Sequence, residues 1–284
     1  MNFKDNYIGV VGSGTMGNGI AHVFAQSNFK VFLVDLNQSI LDKAIQTIST
    51  NLQRQVKKEL ITKDQMISSL ENITTSTDMN LLSNAFLIIE AASEDELIKM
   101  NIFKNLDSIC NPKSILATNT SSISITKIAS ATSRPHKVIG MHFMNPVPIM
   151  KLIEVIKGKH TSANTLETIM QISSQLNKTA LECNDSPGFI SNRILMPLIN
   201  EAAYCFMDNI ADKNSIDGIM ELGMGHPMGP LKLADLIGID VCVSIMKVLQ
   251  DGLNSDKYAP CPLLLDMVKS NKLGKKTKQG FYRY

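Results

Sequence analysis

Short apolar runs alternate with amphipathic stretches through the first two thirds of the chain. Runs rich in Val, Ile and Leu are typical of strands that are buried on both faces of a parallel sheet. They fall at residues 7–11, 30–35, 85–89, 115–119 and 138–141. Residues with helical spacing lie between them, at about 20–25, 41–60, 62–70, 95–109 and 123–131. This alternation predicts an α/β fold with a doubly wound, mostly parallel sheet and right-handed crossovers.

The pattern changes near residue 186, after which helical spacing dominates. The segment Asp185-Ser186-Pro187-Gly188 predicts a domain boundary, with Ser186 as an N-cap and Pro187 at the first helical position. A helix is expected from Phe189 to about Asp208, and it is apolar on nearly every face, which indicates burial between domains or subunits. We therefore expect two domains, residues 1–185 with the sheet and residues 186–284, which are all helical.

The first apolar run is followed at once by a glycine-rich loop. Gly12 permits a tight turn, Gly14 allows backbone to approach a pyrophosphate, and Gly17 allows helix and strand to pack closely. The next strand ends in Asp35, where an acidic residue can bond a ribose 2′-hydroxyl and would repel a 2′-phosphate. An ordinary glycine-rich turn is the alternative, but the strand–loop–helix–strand–Asp order favours a Rossmann-type site for NAD rather than NADP.

A histidine and a carboxylate fall in two neighbouring apolar runs. His142 follows the run 138–141, and Glu154 lies within the run 152–156, on the same face as its apolar neighbours at alternate positions. An ionised carboxylate on an apolar face is costly unless a cationic or hydrogen-bonding group meets it. His142 is the obvious partner. The pair is either a structural contact in the core or an acid/base pair.

Other polar residues lie at the carboxyl ends of the predicted strands, where ligands bind in such sheets. Glu94, Asn119 and Ser121 share this edge with the glycine loop and His142. Asn119 and Ser121 also fit turn and N-cap positions. In the helical domain, Asn192 shares a helix face with apolar residues, so it belongs either to a structural hydrogen-bond network or to a cleft.

Two basic segments have two interpretations each. The helix at 41–60 has either a solvated basic face or a cationic surface for a phosphate-bearing part of a substrate. The C-terminal tail is either a solvated basic tail or a segment that contacts the cofactor. The basic residues concerned are Lys43, Arg54, Lys57, Lys58, Lys269, Lys272, Lys275, Lys276, Lys278 and Arg283.

Composition narrows the class of protein. The chain has 284 residues, of which 44% are hydrophobic and 19% charged, as in ordinary globular proteins. A formal net charge of +2 gives no electrostatic case for nucleic acid or membrane binding. The five cysteines are widely spaced, which favours reduced thiols over a disulfide framework or a metal site. Without a signal or transit peptide or a long apolar run, we expect a cytoplasmic protein.

Several motifs follow one another along nearly the whole chain. They are Gly12-Ser13-Gly14-Thr15-Met16-Gly17, Asn119-Thr120-Ser121-Ser122, His142-Phe143-Met144-Asn145-Pro146-Val147-Pro148, Lys151-Leu152-Ile153-Glu154-Val155, Asp185-Ser186-Pro187-Gly188-Phe189-Ile190-Ser191-Asn192-Arg193, Gly229-Pro230 and Gly274-Lys275-Lys276-Thr277. Taken together and in this order, they resemble one family: the L-3-hydroxyacyl-CoA dehydrogenases, in particular their single-activity 3-hydroxybutyryl-CoA members.

The resemblance implies a role for each matching residue. His142 matches the general acid/base and Glu154 the carboxylate that orients it. Ser121 and Asn192 match residues that hold the substrate oxygens, with Asn145 nearby. The cofactor contacts are matched by Gly12, Gly14, Gly17, Asp35, Ala91, Glu94, Lys99, Asn119 and Lys276. The coenzyme A contacts are matched by Asn51 and Lys58, which favours the substrate interpretation of the 41–60 helix.

The resemblance also implies NAD as cofactor, no metal, a 3-hydroxyacyl-CoA or 3-ketoacyl-CoA substrate, a role in fatty acid or butyrate metabolism, and a homodimer formed through the helical domain. No domain for hydratase chemistry is expected. Two rivals remain. The first is a related NAD enzyme for hydroxy acids that carry no coenzyme A. The second is an NAD-binding protein without catalytic activity. The loss of His142, Glu154 or Ser121 would indicate such a protein.

Overall fold

A single sheet of eight strands organises the first of two units in the chain. The computed structural model describes residues 3–284, and the chain divides into the units Met1–Asp185 and Ser186–Tyr284. The strands of the first unit are β1 (Tyr7–Val11), β2 (Lys30–Val34), β3 (Ile73–Ser76), β4 (Leu87–Glu90), β5 (Ile115–Thr118), β6 (Val138–Phe143), β7 (Leu152–Lys157) and β8 (Thr179–Asn184).

The strand order confirms the predicted fold class. The order is β3-β2-β1-β4-β5-β6-β7-β8, and every neighbouring pair is parallel except β6 and β7, which are antiparallel. The order reverses direction between β1 and β4. At such a switch point the loops after the two strands separate and leave a crevice at their carboxyl ends.

The central strands are buried along almost their whole length, as their apolar sequences predict. All residues of β4, β5 and β6 are buried. The helices of this unit are α1 (Thr15–Gln26), α2 (Gln38–Lys57), α3 (Lys63–Glu71), α4 (Glu96–Ile109), α5 (Ile125–Ala129) and α6 (Ala163–Gln175). Helix α2 buries one stripe, formed by Leu41, Ala44, Ile48 and Leu52, because these residues recur every three or four positions.

Three elements of this unit were not predicted from the sequence: β3, β8 and α6. Both strands lie at the edges of the sheet, and β8 has only exposed and half-buried residues. An edge strand is less covered than a central one, so it lacks the continuous apolar run by which the central strands are recognised.

Several predicted boundaries were inaccurate. Strand β6 continues to Phe143, so His142 lies within the strand and not beyond its end. Helix α5 is shorter than the predicted segment 123–131 at both ends, and its start is set by Ser124, which caps it by accepting a hydrogen bond from the Lys127 amide. Strand β4 starts at Leu87, two residues later than predicted, and ends at Glu90.

The second unit is helical, as predicted. Its helices are α7 (Ser191–Met207), α8 (Lys213–Leu222), α9 (Pro230–Ile237), α10 (Ile239–Leu253) and α11 (Pro262–Lys269). Its buried core is formed by apolar residues from all five helices and from the C-terminal segment, where Phe281 is included. No helix within residues 3–284 combines the length and the apolarity needed to cross a membrane.

The prediction that Ser186 and Pro187 start the first helix of this unit was wrong. Helix α7 begins at Ser191, after a turn in which the Phe189 amide donates to the Ser186 carbonyl. Gly188 and Phe189 have φ angles of 70° and 52°, in the left-handed region that a right-handed helix excludes. These two residues separate Pro187 from the helix, so Pro187 belongs to the turn.

A buried histidine in α1 makes the first unit sensitive to acid. His22 is 1% exposed, and its Nε2 lies 3.2 Å from Nε2 of Gln55 in α2. Burial lowers the pKa of His22 from 6.5 to about 4, because the charged imidazolium is poorly solvated there. The unfolded chain therefore takes up a proton at a higher pH than the folded chain. The contribution of His22 to the free energy of unfolding is fully present above pH 6.5 and is lost as the pH falls towards 4.

We expect this linkage to remove about 3 kcal/mol of unfolding free energy between pH 6.5 and pH 4. Urea unfolding of the wild type and of His22→Gln across that range measures it, and the variant should lose less stability by about that amount. His160→Gln is the matched control, because His160 is exposed. Equal losses in wild type and His22→Gln would contradict the prediction.

Candidate active site

The glycine loop forms a tight turn between β1 and α1. Gly12 has a φ of 92°, and its amide donates to the Val34 carbonyl, which ties the loop to β2. A Cβ atom on Gly17 would lie 1.8 Å from the Gly12 carbonyl oxygen. Gly17 is therefore required for the loop to close on itself, which is a more specific reason than the helix–strand packing that the sequence suggested.

Gly14 is different, because a Cβ atom there would meet no atom within 4 Å. Gly14 is the N-cap of α1, and no side chain caps the helix there. The first amides of a helix, together with its dipole, favour a bound anion, and phosphate groups commonly occupy such positions. Open space in front of a glycine at this helix terminus is consistent with a pyrophosphate, so the loop fits a dinucleotide.

Asp35 follows β2 and lies beside the glycine loop. Its Oδ2 accepts hydrogen bonds from the amide and the hydroxyl of Ser13, at 2.6 and 2.7 Å, and its Oδ1 accepts one from the Leu36 amide. These donors hold a carboxylate at the position where a Rossmann-type site contacts the ribose. A 2′-phosphate would meet a negative charge here, so the geometry fits NAD better than NADP.

Glu94 connects the loop after β4 to the loop after β5. Its Oε1 accepts from the hydroxyls of Thr120, Ser121 and Ser122 and from the Ser121 amide, at distances between 2.6 and 3.3 Å. Burial alone would raise the pKa of Glu94, but Lys99 and these donors lower it below its usual value. Glu94 is therefore an ionised acceptor that fixes the backbone and the side chain of Ser121.

Two charged residues beside Glu94 are fully buried. Lys99 is 1% exposed and Glu90 is 0% exposed, and they form an ion pair of 2.7 Å. The Lys99 ammonium also lies 3.4 Å from Oε2 of Glu94. Glu90 was not singled out from the sequence. An acidic residue at the end of an apolar strand was the available signal, since a buried carboxylate needs partners.

His142 and Glu154 are opposite each other in the antiparallel pairing of β6 and β7. Directly opposed residues on one face of such a pair are close enough for their side chains to meet. Nδ1 of His142 lies 3.0 Å from Oε2 of Glu154, and both side chains are buried. The carboxylate selects the tautomer with the proton on Nδ1, which leaves Nε2 as the acceptor in the neutral ring.

Glu154 has a further neighbour that was not expected from the sequence. The Cys183 thiol in β8 lies 3.9 Å from its Oε1 and can donate a weak hydrogen bond. Strand β8 pairs with β7 in parallel, and the predicted strands did not include it. Without β8, the sequence offered no signal that Cys183 would lie next to Glu154.

Asn119 has a structural contact within the site. Its Oδ1 accepts from the Phe143 amide at 2.9 Å, so it links the end of β5 to the end of β6. Ser121 follows in the same loop and is half-buried, while Asn145 is exposed in the segment after β6. Ala91 lies against Gly12, since a Cβ atom added to Gly12 would be 2.7 Å from the Ala91 carbonyl oxygen.

The remaining predicted residues lie elsewhere in the two units. Asn51 is half-buried in α2, and Lys58 is exposed at the C-cap of that helix. Asn192 is buried in the first turn of α7. Lys276 is exposed in a short 3₁₀ helix, where its ammonium donates to Oδ2 of Asp240 at 2.6 Å. Within residues 3–284, no group of three or more His, Cys, Asp or Glu side chains could hold a metal ion.

Comparison with known proteins gives matches along nearly the whole chain. The family description "3-hydroxyacyl-CoA dehydrogenase, NAD binding domain" matches residues 7–186, and "3-hydroxyacyl-CoA dehydrogenase, C-terminal domain" matches residues 188–284. The first match confirms the predicted dinucleotide, NAD.

Individual relatives are similar over nearly their full length. A probable 3-hydroxybutyryl-CoA dehydrogenase of Deinococcus radiodurans is 50% identical over 97% of this chain and 99% of its own. The 3-hydroxybutyryl-CoA dehydrogenase of Clostridioides difficile is 49% identical, over 98% and 99%. The crystal structure of (S)-3-hydroxybutyryl-CoA dehydrogenase from Ralstonia eutropha is 43% identical, with a TM-score of 0.96 over 98% of this chain and 99% of that one.

Proposed function

The chain belongs to the 3-hydroxyacyl-CoA dehydrogenase family, and from this premise we propose that it interconverts 3-hydroxyacyl-CoA and 3-ketoacyl-CoA. It is an NAD-dependent oxidoreductase, as the sequence predicted. The proposed substrate is 3-hydroxybutyryl-CoA, the compound in the names of the relatives described above, in fatty acid or butyrate metabolism.

The residues of the first unit that are proposed to hold the cofactor lie around the carboxyl ends of β1, β2, β4 and β5. The glycine loop would bind the pyrophosphate, and Asp35 the adenosine ribose. The other proposed contacts are Ala91, Glu94, Lys99, Asn119 and Lys276. When bound, NAD supplies the hydride acceptor for oxidation of the hydroxyl carbon, and its reduced form supplies the hydride for the reverse reaction.

We assign the proton transfer to Nε2 of His142. In the neutral ring, the hydrogen is on Nδ1, which is directed at Glu154. Nε2 then carries no hydrogen and can accept the proton of the substrate hydroxyl. Glu154 then stabilises the imidazolium, because its carboxylate lies 3.0 Å from the protonated Nδ1. In the reverse direction, Nε2–H returns the proton to the oxygen at C3, so the proton balance closes in both directions.

Ser121 and Asn192 are proposed to bind the substrate oxygens, with Asn145 nearby. The Ser121 hydroxyl can donate to an oxygen while Glu94 fixes its backbone amide. Asn51 and Lys58 are proposed to contact the coenzyme A portion. Lys58 has the charge that a phosphate would require, at an exposed end of α2.

The helical unit is proposed to bind substrate and to form a homodimer, while residues 1–185 bind NAD. Large apolar side chains are exposed in the helical unit, among them Ile194 at 68%, Ile210 at 71% and Leu222 at 91%. Exposed apolar surface is a common mark of a protein–protein interface. A cytoplasmic location is proposed as well, and the free cysteines of residues 3–284 are consistent with a reducing compartment.

The observation that supports the proposed activity most is the His142–Glu154 pair, at the end of β6 in a chain of this family. The test is oxidation of NADH by the purified protein with acetoacetyl-CoA, followed by absorbance. We expect turnover with the coenzyme A ester and NADH, and much slower turnover with NADPH. Turnover of free hydroxy acids without turnover of coenzyme A esters would instead establish the rival function.

A further inference from the structure

Glu90 holds together three segments at the carboxyl ends of the central strands. Its Oε1 accepts from the Ala92 amide and from the Lys99 ammonium, both at 2.7 Å. Its Oε2 accepts from the Thr118 hydroxyl, also at 2.7 Å. One side chain therefore connects the end of β4, the end of β5 and the first turns of α4.

Stability alone is a poor explanation for this arrangement. Glu90 and Lys99 are 0% and 1% exposed, so both charges have lost their hydration. Replacing a buried ion pair by apolar residues of similar volume is often neutral or stabilising. What an ion pair with several hydrogen bonds does provide is a defined geometry, because each partner is held in one orientation.

A chain of ion pairs and hydrogen bonds leads from Glu90 to Ser121. The Lys99 ammonium lies between two carboxylates, 2.7 Å from Glu90 and 3.4 Å from Glu94. Glu94 in turn accepts from the Ser121 amide at 2.9 Å and from its hydroxyl at 3.2 Å. Ser121 is thus connected to Glu90 through two side chains.

Glu90 is connected to the loop after β5 by a second route. Thr118, which donates to Glu90, accepts at its hydroxyl from the Thr120 amide at 3.2 Å. Thr120 directly precedes Ser121 and donates its own hydroxyl to Glu94. Both routes meet in the loop after β5, so two chains of contacts connect Glu90 to the segment that contains Ser121.

We propose that Glu90 is a positioning residue for Ser121, acting through Lys99 and Glu94, and that it also fixes the Ala91-Ala92 backbone beside the glycine loop. The catalytic part of this inference depends on the proposed function, in which Ser121 binds the substrate. Glu90 itself touches neither substrate nor cofactor in this assignment. Glu90 instead determines the positions of Ser121 and of the loop after β4.

The first test is hydrogen exchange in the chain without cofactor. We expect Glu90→Gln to increase the exchange rates of the Ala92 and Ser121 amides about tenfold. The Ala92 amide loses the ionised carboxylate of Glu90 as its acceptor, and the acceptor of the Ser121 amide, Glu94, is no longer held in place. Ser114→Ala is the matched control. It removes another buried hydrogen bond, to the Ala85 carbonyl at the opposite end of β5, and should leave both amides unchanged.

The second test is a double-mutant cycle on kcat/KM for acetoacetyl-CoA, measured at saturating NADH so that a change in cofactor binding through the Ala91-Ala92 backbone does not contribute. We expect Glu90→Gln to lower kcat/KM about tenfold in the wild-type background and less than about twofold in Ser121→Ala, because positioning is lost when its target is absent. Ser114→Ala should change kcat/KM less than about twofold in either background. Multiplicative effects of Glu90→Gln and Ser121→Ala would overturn the proposal.

If Glu90→Gln does not fold, Thr118→Val provides the second variant, because it removes the hydrogen bond to Oε2 of Glu90 without leaving a buried charge unpaired, and it should change the Ser121 exchange rate in the same direction. The two tests separate the two proposals. An inactive wild type would refute the proposed function while hydrogen exchange still decides the role of Glu90. Unchanged exchange rates in an active enzyme would refute the role of Glu90 alone.

Discussion

Replacing His142 by Gln is expected to lower kcat by about 10²–10⁴, because a positioned general acid/base contributes that much to the rate. Gln is close to His in size and can still donate to Glu154, so the side chain keeps its place in β6. It has no group that gains or loses a proton near neutral pH. Steady-state kinetics with acetoacetyl-CoA and NADH measures the loss.

NADH affinity separates this effect from damage to the cofactor site. We expect the Kd for NADH, from fluorescence titration, to change less than about twofold in His142→Gln, since no residue of the glycine loop is altered. His160→Gln is the matched control, because His160 is an exposed histidine of the same unit. Turnover of His142→Gln close to that of this control would refute the acid/base assignment.

The pairing of His142 with Glu154 could be predicted because it depends on local patterns. Alternation within the 152–156 run indicates which face bears the carboxylate, and the next apolar run upstream ends at the histidine. Two strands joined by a short segment tend to be neighbours in a sheet. The register, with His142 directly opposite Glu154, required the structure.

The contacts of Glu90 could not be predicted, because its three partners lie 2, 9 and 28 residues further along the chain. They meet only where the ends of β4 and β5 and the start of α4 come together. In the sequence, Glu90 is the residue after an apolar run, which fits a strand end equally well with or without a network. Burial of its carboxylate is a property of the folded unit.

The start of α7 shows a different reason for failure. Ser186-Pro187 has the residue types of a helix start, and local preferences favour one there. Gly188 and Phe189 instead adopt positive φ angles, with an added Cβ on Gly188 only 2.5 Å from the Leu249 side chain. Packing within the second unit therefore overrides the local preference, and Phe189 accepts an unfavourable backbone angle.

Gly14 and Gly17, two of the three glycines of the nucleotide loop, should differ in their effect on stability when each is replaced by Ala. A Cβ atom on Gly14 meets nothing within 4 Å in the chain, so Gly14→Ala should change the unfolding free energy by less than about 1 kcal/mol. It should still weaken NADH binding, by about 5–150-fold, because the added methyl occupies space that the pyrophosphate needs and overpacking costs roughly 1–3 kcal/mol.

Gly17→Ala should lose both stability and binding. Its Cβ atom would lie 1.8 Å from the Gly12 carbonyl oxygen, a backbone atom that can move only if the loop opens. The unfolding free energy without cofactor should therefore fall by about 1–3 kcal/mol or more. Urea unfolding and NADH titration of both variants test the pair. If Gly14→Ala binds NADH as the wild type does, the pyrophosphate does not lie in front of Gly14, and α1 is not its binding helix.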